Sequence, residues 1–316
     1  MNIIFLTGGV YSNYATDYAS FLASTLRAEG HVVKVFIRKK DPRAEVYSDM
    51  QPITIGNGGP LDVLSPVKLS GVLRELSGPT IIHVFTTKDA RLALNSARLS
   101  GRQQEIKTVL AFLNASLLPK FKECERRTIN MVSAVTKDTP EPVEDIESAI
   151  YVAPGIPDIH LEKTPQTDGI TRLLYIGQLT KGCRLPELLK NLEDLKDREW
   201  TLDVCGTGRG SFIMGPIRRT RSAGIDSRIT WHGDDFDPMK RLACADVIVG
   251  EDTPYNRLMA DCAATAFISA EPAELSTRVF NRTEIDKTAL AGRKHYESTG
   301  TYDHFYNAIK AVYNES

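Results

Sequence analysis

The sequence predicts two doubly wound α/β domains, each built on a parallel sheet. Three observations carry this reading. Short apolar runs end in glycine, amphipathic stretches separate them, and the chain of 316 residues is about twice the roughly 150 typical of one domain.

Ile3 to Thr7 is an apolar run that stops at Gly8-Gly9, the profile of a strand covered on both faces. In the segment after it, Tyr14, Tyr18, Phe21, Leu22, Thr25 and Leu26 recur at three- and four-residue spacing, which gives a helix one buried face. Gly30 suits the left-handed cap, and His31 to Ile37 is a second strand rich in β-branched residues. A βαβ unit of this kind requires parallel strands. Lys39 to Pro66 holds Pro42, Pro52, Gly56, Gly58, Gly59 and Pro60, and reads as a long loop or short irregular pieces. Strands follow at Thr80 to Phe85, Lys107 to Phe112, Met131 to Thr136 and Ala149 to Val152. Helices fall at Asp89 to Ser100 and Phe121 to Asn130. Pro157 to Gly169 is polar and aperiodic, a linker.

Alternation then restarts. The strands are Arg172 to Gly177, Trp200 to Gly206, Arg228 to Gly233, Asp246 to Gly250 and Ala266 to Ala270. The helices are Leu185 to Leu195, Ser211 towards Gly224, Pro238 to Ala243 and Tyr255 to Ala263. A last helix turns Phe305, Ile309, Val312 and Tyr313 to one side. The expected domains are 1–160, 161–290 and a terminal helical piece, 291–316, that crosses back to the first.

Composition narrows the function classes. Thirty-nine basic residues against forty acidic ones give a net charge of −1, which argues against a nucleic-acid partner, whose phosphates need a basic surplus. No run approaches the roughly 20 apolar residues of a membrane span. The start breaks into glycine too early for a signal peptide, so the expected location is cytoplasmic. Cys124, Cys183, Cys205, Cys244 and Cys262 lie far apart and read as buried, reduced thiols rather than disulfides or a zinc site.

In such sheets, ligands bind beyond the carboxyl ends of the strands, near helix N-termini that attract anions. Four strand ends carry glycine: Gly8-Gly9, Gly177, Gly206-Thr-Gly208-Arg-Gly210 and Gly233. Tight βα turns need glycine for backbone reasons alone; four in one chain also fit a phosphate-bearing ligand. Neither a dinucleotide fingerprint nor a Walker lysine motif is present. The stretch Leu173-Leu-Tyr-Ile-Gly-Gln-Leu-Thr-Lys-Gly182 places Lys181 between a strand and a helix, where its point charge can meet a diphosphate. Asp235-Phe-Asp237 reads as a helix cap before Pro238 rather than a metal site. Arg218, Arg219 and Arg221 read as a solvated face, and His83 as a core histidine. Leu117-Leu-Pro-Lys-Phe-Lys122 with Arg126 and Arg127 reads as a surface helix or as a peripheral contact to an anionic membrane.

These motifs resemble a known family in order and spacing. Gly8-Gly9, Asn13 and the helix to Gly30-His31 are similar to its opening glycine loop. Thr80-Ile-Ile-His-Val-Phe85 and Ala153-Pro-Gly-Ile-Pro157 resemble its later landmarks. In the second half Leu174-Tyr-Ile-Gly177, Lys181-Gly182, Leu202-Asp-Val-Cys-Gly-Thr-Gly208, Arg228-Ile-Thr-Trp-His-Gly233 and Ala245-Asp-Val-Ile-Val249 follow in series. The chain thus resembles the retaining nucleotide-sugar glycosyltransferases of family 4. That likeness implies a GT-B fold of two facing Rossmann-like domains with a cleft between them.

The resemblance further implies a nucleoside-diphosphate sugar as donor, most simply a UDP-sugar, with no other cofactor and no metal. The acceptor is a glycan, glycolipid or small molecule. Lys181 and Gln178 meet the departing diphosphate, and Gly8, Gly9, Gly177, Gly182, Gly206 and Gly233 let backbone approach the donor. Glu251 or Asp252 contacts the sugar hydroxyls, Asp261 the ribose, and Asn13 and Asn114 lie on the acceptor side. Three departures stand beside it. Gln178 replaces the usual Arg and carries no charge. Leu113 or Asn114 stands where a histidine is usual. Ungapped alignment puts Ala260 in the place of the second Glu, which Asp261 fills only with a one-residue slip. They leave a second reading open, a weak or inactive relative that partners an active transferase. A third is a nucleotide-sugar epimerase or hydrolase.

Overall fold

The computed structural model describes all residues except 8–12, 40, 42–43, 57–61, 114, 116–117, 119, 159–160, 162–167, 178, 180–182, 207–209, 234–238, 271–274, 276 and 316. For 13, 210–211 and 239–240 it describes the backbone alone. The chain forms two compact units, Met1–Gly155 with Asp303–Ser316, and Ile156–Tyr302.

In the first unit the strands are β1 (Asn2–Leu6), β2 (Val32–Arg38), β3 (Ile53–Ile55), β4 (Thr80–Val84), β5 (Ile106–Phe112), β6 (Ala134–Lys137) and β7 (Ile150–Tyr151). They form one sheet in the order β3-β2-β1-β4-β5-β6-β7, every neighbouring pair parallel. The helices are α1 (Asn13–Ala28), α2 (Leu64–Glu75), α3 (Thr87–Ser100) and α4 (Glu123–Ile129), with the chain's last helix, Tyr302–Glu315, joining from far along the sequence. Strand alternation sorts the core. Ile4, Leu6, Ile82 and Val84 face Leu69 and Leu73 of α2 and Ala90 and Ala93 of α3. On the other face Phe5, His83 and Phe85 form an aromatic cluster with Tyr18 of α1 and with Phe305 and Tyr313 of the last helix.

The second unit holds β8 (Thr171–Ile176), β9 (Trp200–Cys205), β10 (Ile229–Gly233), β11 (Val247–Gly250) and β12 (Ala266–Ser269), ordered β10-β9-β8-β11-β12 and again parallel throughout. Its helices are α5 (Leu185–Glu193), α6 (Gly210–Ala223), α7 (Met239–Leu242), α8 (Pro254–Cys262) and α9 (Arg282–His295); the last helix, Tyr302–Glu315, is α10. The α5 residues Leu185, Leu188, Leu189 and Leu192 are all buried, against Leu173, Tyr175, Leu202, Val204 and Val249 of the sheet. The segment read as a linker is tied in at its start: Asp158 pairs with Arg293 at 2.8 Å, and Tyr296 donates to the Ile156 carbonyl at 2.9 Å.

Three features depart from the sequence reading. The loop expected over Lys39 to Pro66 contains a 3-10 helix (Ala44–Met50), with Tyr47 buried, and the edge strand β3. It also runs into α2, a helix disguised by Pro66 and Gly71. Pro66 sits in the first turn, where no N–H is needed, and burial of Leu69 and Leu73 outweighs the glycine. Helix α9 was equally hidden, since only Ile285 is buried along it. Its signal is local: the Asn281 side chain accepts from the Glu284 N–H at 3.2 Å, the cap of an Asn-x-x-Glu start. None of the five cysteines is in a disulfide, and only Cys205 and Cys262 are buried. Cys124, in α4, and Cys244, in the turn after α7, are exposed.

Candidate functional site

Strand order locates the site. In a doubly wound sheet, the crevice opens where neighbouring strands send their connections in opposite directions. In the second unit that switch point lies between β8 and β11. Their carboxyl ends are Gly177 and Gly250-Glu251.

Tyr175 forms the floor of this point. It is 1% exposed, its ring lies 3.5 Å from the position a Cβ on Gly250 would take, and its hydroxyl lies 3.0 Å from the same position on Gly177. Glycine at both strand ends therefore leaves the ring room. Burial holds the Tyr175 hydroxyl well above its ordinary range. From Gly177 the glycines continue as a row. The Gly177 N–H donates to the Cys205 carbonyl at 3.1 Å, and the Gly206 N–H donates to the Gly233 carbonyl at 3.1 Å. A Cβ on Gly206 would lie 2.0 Å from the Gly177 carbonyl oxygen, and Gly233 has φ of +59°. Only glycine satisfies both positions. Gly206→Ala is expected to lower the stability of the second unit by about 1–3 kcal/mol, the usual cost of overpacking against backbone. Urea unfolding of wild type and variant, followed through Trp200 fluorescence, measures it.

Glu251 stands at the rim. Burial pushes the Glu251 carboxyl up, against the lowering effect of the backbone and charge of Arg184, the residue before α5. The turn that carries it is clamped. The Glu251 carbonyl accepts from Asn256 Nδ2 at 2.9 Å, and Thr253 caps α8 by accepting the Asn256 N–H at 3.1 Å, ahead of Pro254 in the first turn. A carboxylate thus rests against the first residues of a helix, where exposed N–H groups favour negative charge.

The structure separates the other acidic residues from this point. The Asp252 carboxylate takes a fork of bonds from the Arg257 guanidinium, with Nη2 at 2.6 Å, and that guanidinium stacks 5.3 Å over the Phe267 ring. Asp261 turns to α9, where His295 Nδ1 lies 3.0 Å from it and Gly292 leaves the space its carboxylate fills. Ala260 is fully buried, so a longer acidic side chain has no room there. Gly8, Gly9, Gln178, Lys181, Gly182 and Asn114 lie outside the described residues, and of Asn13, which opens α1, only the backbone is described. Asp235 and Asp237 are likewise outside, and among the described residues no group of three or more metal-ligating side chains occurs. His83 is fully buried with Nδ1 2.8 Å from the Tyr313 hydroxyl.

Sequence reasoning missed Tyr175, Arg184 and the pair of His232 with Asp203, whose Nε2 and Oδ1 are 2.6 Å apart beside Gly233. Tyr175 was visible as the inward residue two before a strand-end glycine. The other contacts join residues from separate elements and leave no periodic trace.

Solved structures share the whole fold. Anabaena HepE, in complex with UDP and glucose, matches with a TM-score of 0.77 at 13% identity over all of both chains. A glycosyltransferase from Rickettsia africae matches at 0.74 and 12% identity, over 99% of this chain and 98% of that one. Sucrose-phosphate synthase from Thermosynechococcus elongatus matches at 0.74 and 14% identity, over 100% of this chain and 98% of that one. The fold is GT-B-like, with two parallel-sheet α/β domains. No family model matches the chain, and no curated protein matches it in sequence.

Proposed function

We propose that this protein transfers a sugar from a nucleoside-diphosphate sugar, most simply a UDP-sugar, to a glycan, glycolipid or small-molecule acceptor, with retention of configuration and without a metal. The observation that carries this reading is the switch point of the second sheet. Gly177, Gly206 and Gly233 lie side by side at the strand ends there, and Glu251 lies near the opening of α5, on a fold shared with glycosyltransferases.

On this reading the second unit holds the donor. The diphosphate meets N–H groups at the start of α5, with the Lys181 ammonium and the Gln178 amide beside it. The bond from the anomeric carbon to the diphosphate oxygen breaks, and a bond to the acceptor oxygen forms on the same face. The acceptor's proton passes to the departing phosphate oxygen. Charge grows on the leaving group, so Lys181 and the helix N–H groups stabilise the transition state more than the bound donor. Glu251 is left to accept from sugar hydroxyls, whereas Asp252 is committed to Arg257. The first unit, with Asn13 and Asn114, holds the acceptor.

Glu251→Gln is expected to lower turnover by about 10²-fold, while Asp252→Asn changes it by less than about threefold because that carboxylate is engaged at an exposed ion pair. A panel of nucleotide sugars read by mass spectrometry, for transfer or slow donor hydrolysis, measures both. Equal losses in the two variants would contradict the assignment of Glu251.

A second reading has its own observation. Ala260 is buried where the family resemblance expects a second glutamate, and Asp261 is held by α9. This favours a weakly active or inactive relative that partners a second transferase. Donor turnover by the isolated chain rejects it.

A further inference from the structure

Resting on the sugar-transfer reading above, we propose that Asp138 assembles the acceptor site of the first unit, and that this site takes an uncharged sugar. Strand β6 ends in an unusual run. Thr136, Lys137, Asp138 and Thr139 are all buried, Asp138 to 3% exposure, at the carboxyl edge where a parallel sheet presents its ligands. Burying two charged side chains in succession adds little to stability, because well-packed apolar residues serve as well or better. Buried charges of this kind concentrate at functional sites.

Asp138 gathers segments that lie far apart in the chain. Its Oδ1 accepts the N–H of Ala115, a fully buried residue in the connection after β5, at 2.9 Å. Tyr14, in the first turn of α1, is buried too. Burial raises its hydroxyl first and the Asp138 charge next, with Tyr18 and Tyr151 adding to it. Tyr151 ends β7, in register with Lys137 of β6, and after burial the same carboxylate raises its hydroxyl. Asn13 and Asn114, the two residues given to the acceptor, are the chain neighbours of Tyr14 and Ala115. One carboxylate thus draws together the two segments that carry them.

Charge names the class of occupant. Tyr151 is 47% exposed, so a ligand can reach it from solvent. Asp138 and Glu141 both act on its hydroxyl as negative charges. The Lys137 ammonium donates to the Glu141 carbonyl at 2.8 Å and is buried, so it is not presented to a ligand. The Glu141 carboxylate takes the Thr139 hydroxyl and stays ionised, since that bond holds its carboxyl below the usual range. A phosphate beside Tyr151 would meet two carboxylates. Sugar hydroxyls instead donate to carboxylate and phenol oxygens, and the tyrosine ring offers an apolar face to the sugar ring.

Saturation-transfer NMR of the full-length protein with glucose, galactose and mannose, and with their 6-phosphates, reads the site without a donor. Wild type is expected to bind at least one neutral sugar, and to bind its phosphate about tenfold more weakly. Asp138→Ala and Tyr151→Ala are each expected to weaken the neutral sugar by about tenfold. Tyr151 is exposed, so Tyr151→Ala keeps the wild-type melting temperature and its loss is not one of folding. Asp138→Asn keeps an oxygen for the Ala115 N–H and recovers most of the loss seen in Asp138→Ala. Absence of binding by any neutral sugar overturns the proposal. So does a preference for the phosphates, or sugar binding that Asp138→Ala and Tyr151→Ala leave unchanged. The expected binding pattern in a chain that turns over no nucleotide sugar sustains the site and rejects the transfer reading instead.

Discussion

Alanine at position 181 is expected to lower sugar transfer or donor hydrolysis by about 10²–10³-fold, the usual loss when a group that meets developing charge is removed. In the bound donor the diphosphate already carries negative charge that water, helix N–H groups and Lys181 share. As the bond to the sugar breaks, further charge moves onto the leaving oxygen. On the proposed reading, a lysine ammonium beside the diphosphate therefore stabilises the transition state more than the ground state. The effect should fall mainly on kcat, with KM changing less. It should exceed that of Glu251→Gln, because Glu251 meets neutral hydroxyls. Gln178 carries no charge, so on the proposed reading Lys181 acts without the arginine that the resemblance implies there. Steady-state kinetics with the donor found in the sugar panel measures the split. An unchanged kcat in Lys181→Ala would place the leaving group elsewhere.

The second large effect concerns stability and pH. His83 on β4 is fully buried among Phe5, Tyr18, Phe85 and Tyr313, with ring centroids 5.2–5.8 Å away. Its Nε2 has no hydrogen-bond partner among the described residues. Burial pushes the imidazole down from 6.5 to about 3, so the folded protein holds it neutral. The sign follows from linkage. The unfolded chain binds a proton on His83 below its ordinary value, and the folded chain does not until the pH nears 3. The contribution is whole above about pH 6.5 and is lost as the pH falls from there towards 3. The slope is about 1.4 kcal/mol per pH unit, which amounts to about 2 kcal/mol between pH 6.5 and about pH 5. Since Tyr313 lies on α10, the loss should appear as opening of β4 and α10 together. Hydrogen exchange of those amides, corrected for intrinsic rates, isolates the first unit in a chain whose two units need not unfold as one. His83→Phe keeps an aromatic ring in the pocket and should flatten this part of the pH profile, whatever its effect at neutral pH. An equally steep profile in that variant would show that other groups carry the acid response.

His83 and Lys181 are both visible in the sequence, and for a common reason. His83 sits inside an apolar run and Lys181 between a strand-end glycine and an amphipathic helix, so each is defined by neighbours in the chain. The parallel-sheet architecture was legible in the same way, because strands covered on both faces are continuous apolar runs. Legibility failed where tertiary contacts decide. Helix α2 exists because Leu69 and Leu73 find α3 and the sheet, although Pro66 and Gly71 argue locally against it. Glu251 and Asp252 are adjacent and chemically alike. Only the structure shows one half-buried near the start of α5 and the other clasped by Arg257. Asp261 could not be seen to face α9 before α9 itself was seen. Tyr175 shows both sides: alternation marks it as inward, but its role under Gly177 and Gly250 needs β8 and β11 side by side.

The account turns on a nucleotide diphosphate settling at the start of α5, and a crystal soaked with UDP tests that most directly. The expected map shows the two phosphates against the N–H groups that open this helix, beside the row formed by Gly177, Gly206 and Gly233, with the Glu251 carboxylate displaced from Arg184 or turned towards the sugar position. Phosphate density at another place on the chain, or a helix start that stays closed by Glu251 at saturating UDP, would contradict it.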